Sequence, residues 1–239
     1  AQRLPLWQRR LGYLQLRRGQ HAEASATLQA VLREQPDLIG ATIDLALLRG
    51  LSGDHAAQAT AKQTLLGLME PPRSGPELCG PSERARATLL LAELTLASDP
   101  MARAEARALL HKAQALVPTG DLLLLEEVAR AQVGIGDNAT AATLQKQVLA
   151  RLPDRRRSRL LLAHALLATG LGTEADSILA PLTSGPTMRD AEATVLKGQA
   201  LLLQSDTLAA QKLTRLLLVN PGLPAAVRYD TQLLSAQVF

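Results

Sequence analysis

Residues 122–153 read LLLLEEVARAQVGIGDNATAATLQKQVLARLP, and their order decides the fold. Val128-Ala129 lies in an apolar helical run, Gly136-Asp137 interrupts it, and Ala141 and Val148 open a second stripe at helical spacing. Pro153 then ends the second segment, because a proline has a fixed φ and no N–H to donate. This is one helix-turn-helix unit, and the rest of the chain keeps its time. The marker alanine returns at Ala24, Ala59, Ala106, Ala141, Ala175 and Ala209, with steps of 35, 47, 35, 34 and 34 residues. A period of about 34 residues is the length of a helical-hairpin solenoid repeat. Turn residues precede the marker at Gly19, Gly53-Asp54, Gly136, Gly170 and Ser205-Asp206. Aliphatic residues follow it at Leu28, Leu110, Leu179 and Leu213, then Val31, Ala113, Val148, Leu182 and Leu216. Prolines close the units at Pro36, Pro71, Pro118, Pro153, Pro186 and Pro221.

Composition agrees with this period. The chain has 239 residues, 47% of them hydrophobic but only 2% aromatic. Its interior is therefore expected to be built from leucine and alanine at close helix contacts. Both residues are strong helix formers, and no run of alternating β-branched residues is present, so the predicted class is all-α. No stretch of 18 apolar residues occurs; residues 122–125 and 160–167 are short and bounded by charge, so no membrane span is expected.

The pattern resembles the tetratricopeptide repeat family in Leu11-Gly12, Gly19, Ala24, Leu28 and Pro36; in Leu45-Ala46 and Gly53-Asp54; in Ala106, Leu110, Ala113 and Pro118; and in Leu162-Ala163, Gly170, Ala175 and Leu179. The family's aromatics are mostly replaced by Leu, Gln or Ala, and Trp7 sits one residue before the usual aromatic slot. The resemblance implies a right-handed superhelical α-solenoid of about six repeats plus a C-terminal helix. It divides the chain into repeats one and two over 1–70, a Pro/Gly-rich insertion or hinge over 71–83, repeats three to six over 84–221, and a capping or continuing helix over 222–239. In that last helix Ala226, Tyr229, Leu233 and Val238 are expected to cover unit six.

The resemblance also implies a concave groove lined by the first helices. The family's groove positions fall on Arg9, Tyr13 and Arg17, Ile43 and Leu47, Leu91 and Thr95, Glu126 and Arg130, and Arg157, Leu160 and His164. Such a groove would hold an extended or helical peptide of a protein partner. Chaperone adaptors of this fold grip a terminal carboxylate with a Lys and an Asn, but here Arg9 and Tyr13 stand in those places and Asp44 replaces the second-unit Asn. A carboxylate clamp is not expected.

Net charge is +4, from 26 Lys and Arg against 22 Asp and Glu, and the two signs are interspersed as on solvated helix faces. The densest basic cluster is Arg155-Arg156-Arg157 with Arg159, an acidic-polymer grip in one reading and a polar inter-repeat turn in the other. Stacking on nucleic acid needs aromatics, and only Trp7, Tyr13, Tyr229 and Phe239 are present, so no specific nucleic-acid partner is expected. His21, His55, His111 and His164 fall in separate units without metal-ligand spacing. Gly134-Ile135-Gly136-Asp137 follows no strand, so it is a repeat turn and not a phosphate loop. Asn138-Ala139-Thr140 is a formal sequon whose meaning depends on a eukaryotic secretory setting. No catalytic residue, metal or cofactor is expected. Cys79 is the one cysteine, excluding an internal disulfide.

The functional expectation is a non-catalytic protein-protein interaction scaffold, read as a piece of a larger bacterial envelope, secretion or exopolysaccharide-export protein. It is periplasmic in this reading, with a cytoplasmic setting as the alternative. Its Leu/Ala/Arg/Gln-rich arrays resemble the periplasmic helical portions of export and pilus-assembly factors. The alternatives are a regulatory or substrate-recruiting domain of a larger enzyme, and an Arg-rich surface for an anionic polymer. Self-association through apolar surface at the terminal helix is a further expectation.

Overall fold

In the computed structural model the described residues are 4–69, 79–184 and 190–238. Thirteen α-helices and no strand occur among them, and the fold is an all-α repeat solenoid. The first helices of the repeats are α1 (Leu4–Arg17), α3 (Ile39–Gly50), α5 (Pro81–Ser98), α7 (Leu122–Gly134), α9 (Arg156–Ala168) and α11 (Ala191–Leu203). Their hairpin partners are α2 (His21–Glu34), α4 (His55–Met69), α6 (Arg103–Leu116), α8 (Asn138–Arg151), α10 (Gly172–Thr183) and α12 (Thr207–Leu218), and α13 (Ala225–Val238) ends the series. The helices form two compact units, residues 1–124 and 125–239. Among the described residues of each unit, helices pack on the next helix and on the next but one.

The turns show why the glycines recur. Gly19, Gly53, Gly136 and Gly170 have φ between 73° and 82°, a left-handed conformation in which a Cβ is strained. At Gly136 the following N–H, of Asp137, reaches back to the Gln132 carbonyl at 2.9 Å, and Leu171 does the same to Leu166 after Gly170, closing the preceding helix in a Schellman turn. Ser205 takes this place in the sixth repeat with φ 63°. The next helix is then started by an aspartate: Asp137 accepts from the Thr140 N–H, and Asp206 from the Ala209 N–H at 3.0 Å.

Marker residues Ala24, Ala106, Ala141 and Ala175 are fully buried, letting paired helices approach closely. Two markers are corrected. In α4 the buried residues are Ala61 and Leu65, a register two residues further on, while Ala59 is exposed. In α12 the buried face is Ala210, Thr214 and Leu217, one residue on from Ala209, Leu213 and Leu216. In α13 Val238 is buried as expected, together with Thr231 and Leu234, while Ala226, Tyr229 and Leu233 are exposed. The physical reason is shared by α12 and α13. Thr214 and Thr231 each donate their hydroxyl to the carbonyl four residues earlier, of Ala210 and Val227, and so pack as apolar groups. Of the insertion expected over 71–83, residues 71–78 lie outside the described residues. Half-buried Cys79 and Gly80 precede α5, and Pro81, Ser82 and Glu83 form its first turn, with Pro81 at the helix start where its missing N–H costs nothing.

Candidate partner-binding groove

Within each unit the first helices lie beside one another, α1 against α3 and α3 against α5, then α9 against α11 and α11 against α13. Two registers of side chain matter on them. Tyr13, Leu47, Arg130 and His164 occupy one, and Arg9, Ile43, Glu126 and Leu160 stand four residues earlier in the same helices. A four-residue step rotates a side chain by roughly 40° around the axis. That rotation turns the earlier register toward the neighbouring repeat.

The earlier register packs between repeats: Ile43, Leu91, Leu160 and Glu126 are buried, and Arg9 is half-buried. Ile43 and Leu91 are each 4% exposed and share a core cluster with Ala61, Leu65 and Leu94. Leu160 packs on Leu179 and Leu196. Arg9 donates from Nε to Asp44 Oδ2 at 2.8 Å, and Asp44 is only 2% exposed. The arginine thus occupies the place where a carboxylate clamp would need a free cation. Between α5 and α7, Ser82 Oγ lies 3.1 Å from Asp121 Oδ2, a polar link of the same kind.

Glu126 anchors the densest of these links. It is 1% exposed, and Arg155 grips it in a fork, Nε to Oε2 and Nη2 to Oε1, the latter at 3.1 Å. Ser158 donates to Oε2, and Arg157 Nε lies 3.3 Å from Oε1. Burial alone would raise this carboxyl. Hydrogen bonds from Arg155 and Ser158, with the charges of Arg155 and Arg157, outweigh burial and hold it below its ordinary value. Arg156 points the other way, to Asp190 through Nε and Nη2 and to Glu192 at 2.8 Å. Asp190 also caps α11 by accepting from the Ala193 N–H. Its carboxyl, raised by burial, is lowered further by Arg156 and the backbone donors. Arg159 donates to the Ile178 carbonyl at 3.3 Å. The arginine run at 155–159 is thus tied to the repeats on either side of it. Arg157, expected in the groove, serves mainly this link.

The other register stays on the open side. Tyr13 is half-buried with the Arg86 guanidinium 5.9 Å from its ring centre, Arg17 and Arg130 are exposed, and Leu47 is half-buried. Thr95 departs from the rest, at 6% exposed. His164 opens onto a cleft of about 550 Å³ lined by Leu167 and Ala168 of α9, Gln199, Leu202 and Leu203 of α11, and Gln237 of α13. The residue is exposed, yet neighbouring side chains still desolvate its ring. Desolvation lowers its pKa from 6.5, against the opposing pull of Glu192 and Asp230. Gln199, Leu202 and Leu203 repeat in α11 the positions of His164, Leu167 and Ala168 in α9. Reading the sequence one repeat beyond His164 would have found them; the misplaced marker in α12 hid that register. Among the described residues no three His, Cys, Asp or Glu converge, and no helix is long and apolar enough to cross a membrane.

No protein-family profile matches the chain, and no curated protein matches it in sequence. Solved structures do. A tetratricopeptide repeat protein from Parabacteroides merdae shares 14% identity with it, over 98% of this chain and 85% of that one, with a TM-score of 0.59. PilW, a widely conserved type IV pilus biogenesis factor, shares 16% identity over 96% of this chain and 99% of its own, with a TM-score of 0.67. At these identities the likeness is one of fold, and the chain has the fold of tetratricopeptide repeat proteins.

Proposed function

We propose that this chain is a non-catalytic interaction scaffold whose first helices α9, α11 and α13 hold a segment of a protein partner. The observation that carries this reading is the cleft at His164. Leucines at repeated positions give apolar anchor sites, and His164, Gln199 and Gln237 offer hydrogen bonds beside them. That mixture suits a peptide whose backbone and side chains are read together. A polyanion site at the arginine run is disfavoured, because Arg155, Arg156 and Arg157 already serve Glu126, Asp190 and Glu192. We further propose an envelope assembly in the periplasm as the setting. The fold likeness to a pilus biogenesis factor over nearly the full length of both chains supports it.

The test places a photo-crosslinking residue at Gln199 in the native organism. Defined protein adducts that vanish when Leu203, 51% exposed, becomes Asp are the expected result. Adducts that persist unchanged in Leu203→Asp, or none at all, would remove the groove from the reading. Fractionation of the same cells tests the periplasmic setting separately.

A further inference from the structure

We infer a second interaction surface on the outward face of α1, shaped for an acidic amphipathic helix of a partner protein. Leu4, Trp7, Leu11 and Leu14 are each more than half exposed, at 61%, 61%, 51% and 54%. Their spacing of three, four and three residues puts them in one stripe along the helix. Pro5, Gly12 and Leu16, on the opposite side, are the residues α1 buries. The stripe is therefore not the core face seen from its edge. It is a second apolar face, and the displacement of Trp7 by one residue from the family's aromatic slot is what puts the indole on it.

Charge selects the occupant. Arg10 and Arg17, seven residues apart and exposed, run along one flank of the stripe, Arg18 stands at its end, and α1 contains no acidic residue. The Arg10 guanidinium lies 5.1 Å from the Trp7 ring centre, which holds a cation at the edge of the apolar seam. The other flank carries Gln8 and Gln15. Leu6, also 50% exposed, falls beyond the arginine row, so the stripe itself has two apolar residues per heptad, the narrow seam of a coiled-coil contact; a helix that lies in a bilayer presents a broader apolar face. An antiparallel second copy of α1 would set one arginine row against the other. A helix with leucines on its seam and carboxylates along its flank covers the stripe and meets Arg10 and Arg17 together.

Trp7 is the only tryptophan, so its emission reports on the seam directly. The probes are two synthetic helical peptides of about three heptads with leucine on the seam, one with glutamate and one with lysine on the flanks. The full chain is expected to show a saturable blue shift with the glutamate peptide and at least tenfold weaker binding of the lysine peptide. In the Arg10→Glu/Arg17→Glu variant that preference is expected to reverse, which excludes loss of folding as the cause. Leu11→Asp, at a solvent-exposed position, is expected to abolish the shift at unchanged helicity. Equal affinity for the two peptides, no shift with either, a shift with phosphatidylglycerol vesicles alone, or a dimer in sedimentation that Leu11→Asp dissolves would each overturn the proposal.

Discussion

At Glu126 the two halves of one ion pair are not equivalent. The carboxylate is 1% exposed, whereas Arg155 and Arg157 are 33% and 47% exposed. Arg155→Ala leaves a buried charge with reduced compensation, and we expect a loss of about 3 kcal/mol in chemical denaturation. Glu126→Gln leaves arginines that can turn to water, and its expected loss is nearer 1 kcal/mol. The reverse order would show that the carboxylate is better hydrated than its surroundings imply. The pH response follows from the same geometry. The folded chain holds Glu126 and Asp190 below their ordinary values of 4.5 and 3.8, so in acid the unfolded chain binds more protons. Their contribution is complete above about pH 5 and declines as the pH falls through the lower folded values. Glu126→Gln should accordingly flatten the acid limb of stability against pH. His164 behaves differently in charge but not in sign. Its folded value lies below 6.5, so the ring is neutral at pH 7, and protonation in more acidic solution favours the unfolded chain. An NMR titration of its ring protons should give a midpoint below 6.5, and one above it would mean that Glu192 and Asp230 outweigh the crowding.

Individual helices show which parts of the pattern sequence carries and which it conceals. The turn glycines are legible because a positive φ leaves few alternatives, and the marker alanines of α2, α6, α8 and α10 are legible because only a small side chain permits the approach. In α12 two stripes compete, Ala209-Leu213-Leu216 and Ala210-Thr214-Leu217, and leucine content favours the first. The helix takes the second because Thr214 satisfies its hydroxyl within its own backbone, and Leu216 is left 52% exposed. The same substitution at the two positions tests this. Ala210→Leu overfills a site with no exposed surface and should cost about 1–3 kcal/mol, whereas Ala209→Leu should stay within about 0.5 kcal/mol. The groove register beyond His164 was hidden by this one-residue slip. Gly172 makes the related point for helix approach: a Cβ there would meet the Ala200 carbonyl oxygen at 2.8 Å and Leu203 Cβ at 2.9 Å. Neither atom can swing away. Gly172→Ala should therefore cost about 1–3 kcal/mol and weaken crosslinking at Gln199, since it displaces the Leu203 side of the cleft.

Within each unit, stability is a sum of repeat terms and neighbour terms, because among the described residues a helix contacts the next and the next but one. Cooperativity then depends on how strongly each junction couples the repeats it joins. The α7–α9 junction carries a buried carboxylate and its arginines, and the α9–α11 junction carries Arg156 on Asp190 and Glu192. These links lie in the unit of residues 125–239 and add charge-assisted bonds to ordinary packing. In the unit of residues 1–124 the counterparts among the described residues include the Arg9–Asp44 pair and the Ser82–Asp121 contact. A variant that cuts the Glu126 link should loosen α7, α8 and α9 first. Hydrogen exchange read by mass spectrometry on Arg155→Ala at neutral pH should show faster exchange in peptides from these helices. Peptides from α1, α2 and α3 should keep the protection of the parent chain, since no neighbour contact passes the change to them directly. Uniform loss of protection would require a single cooperative unit, and the nearest-neighbour description of this solenoid would then fail even though every one of its local contacts were correct.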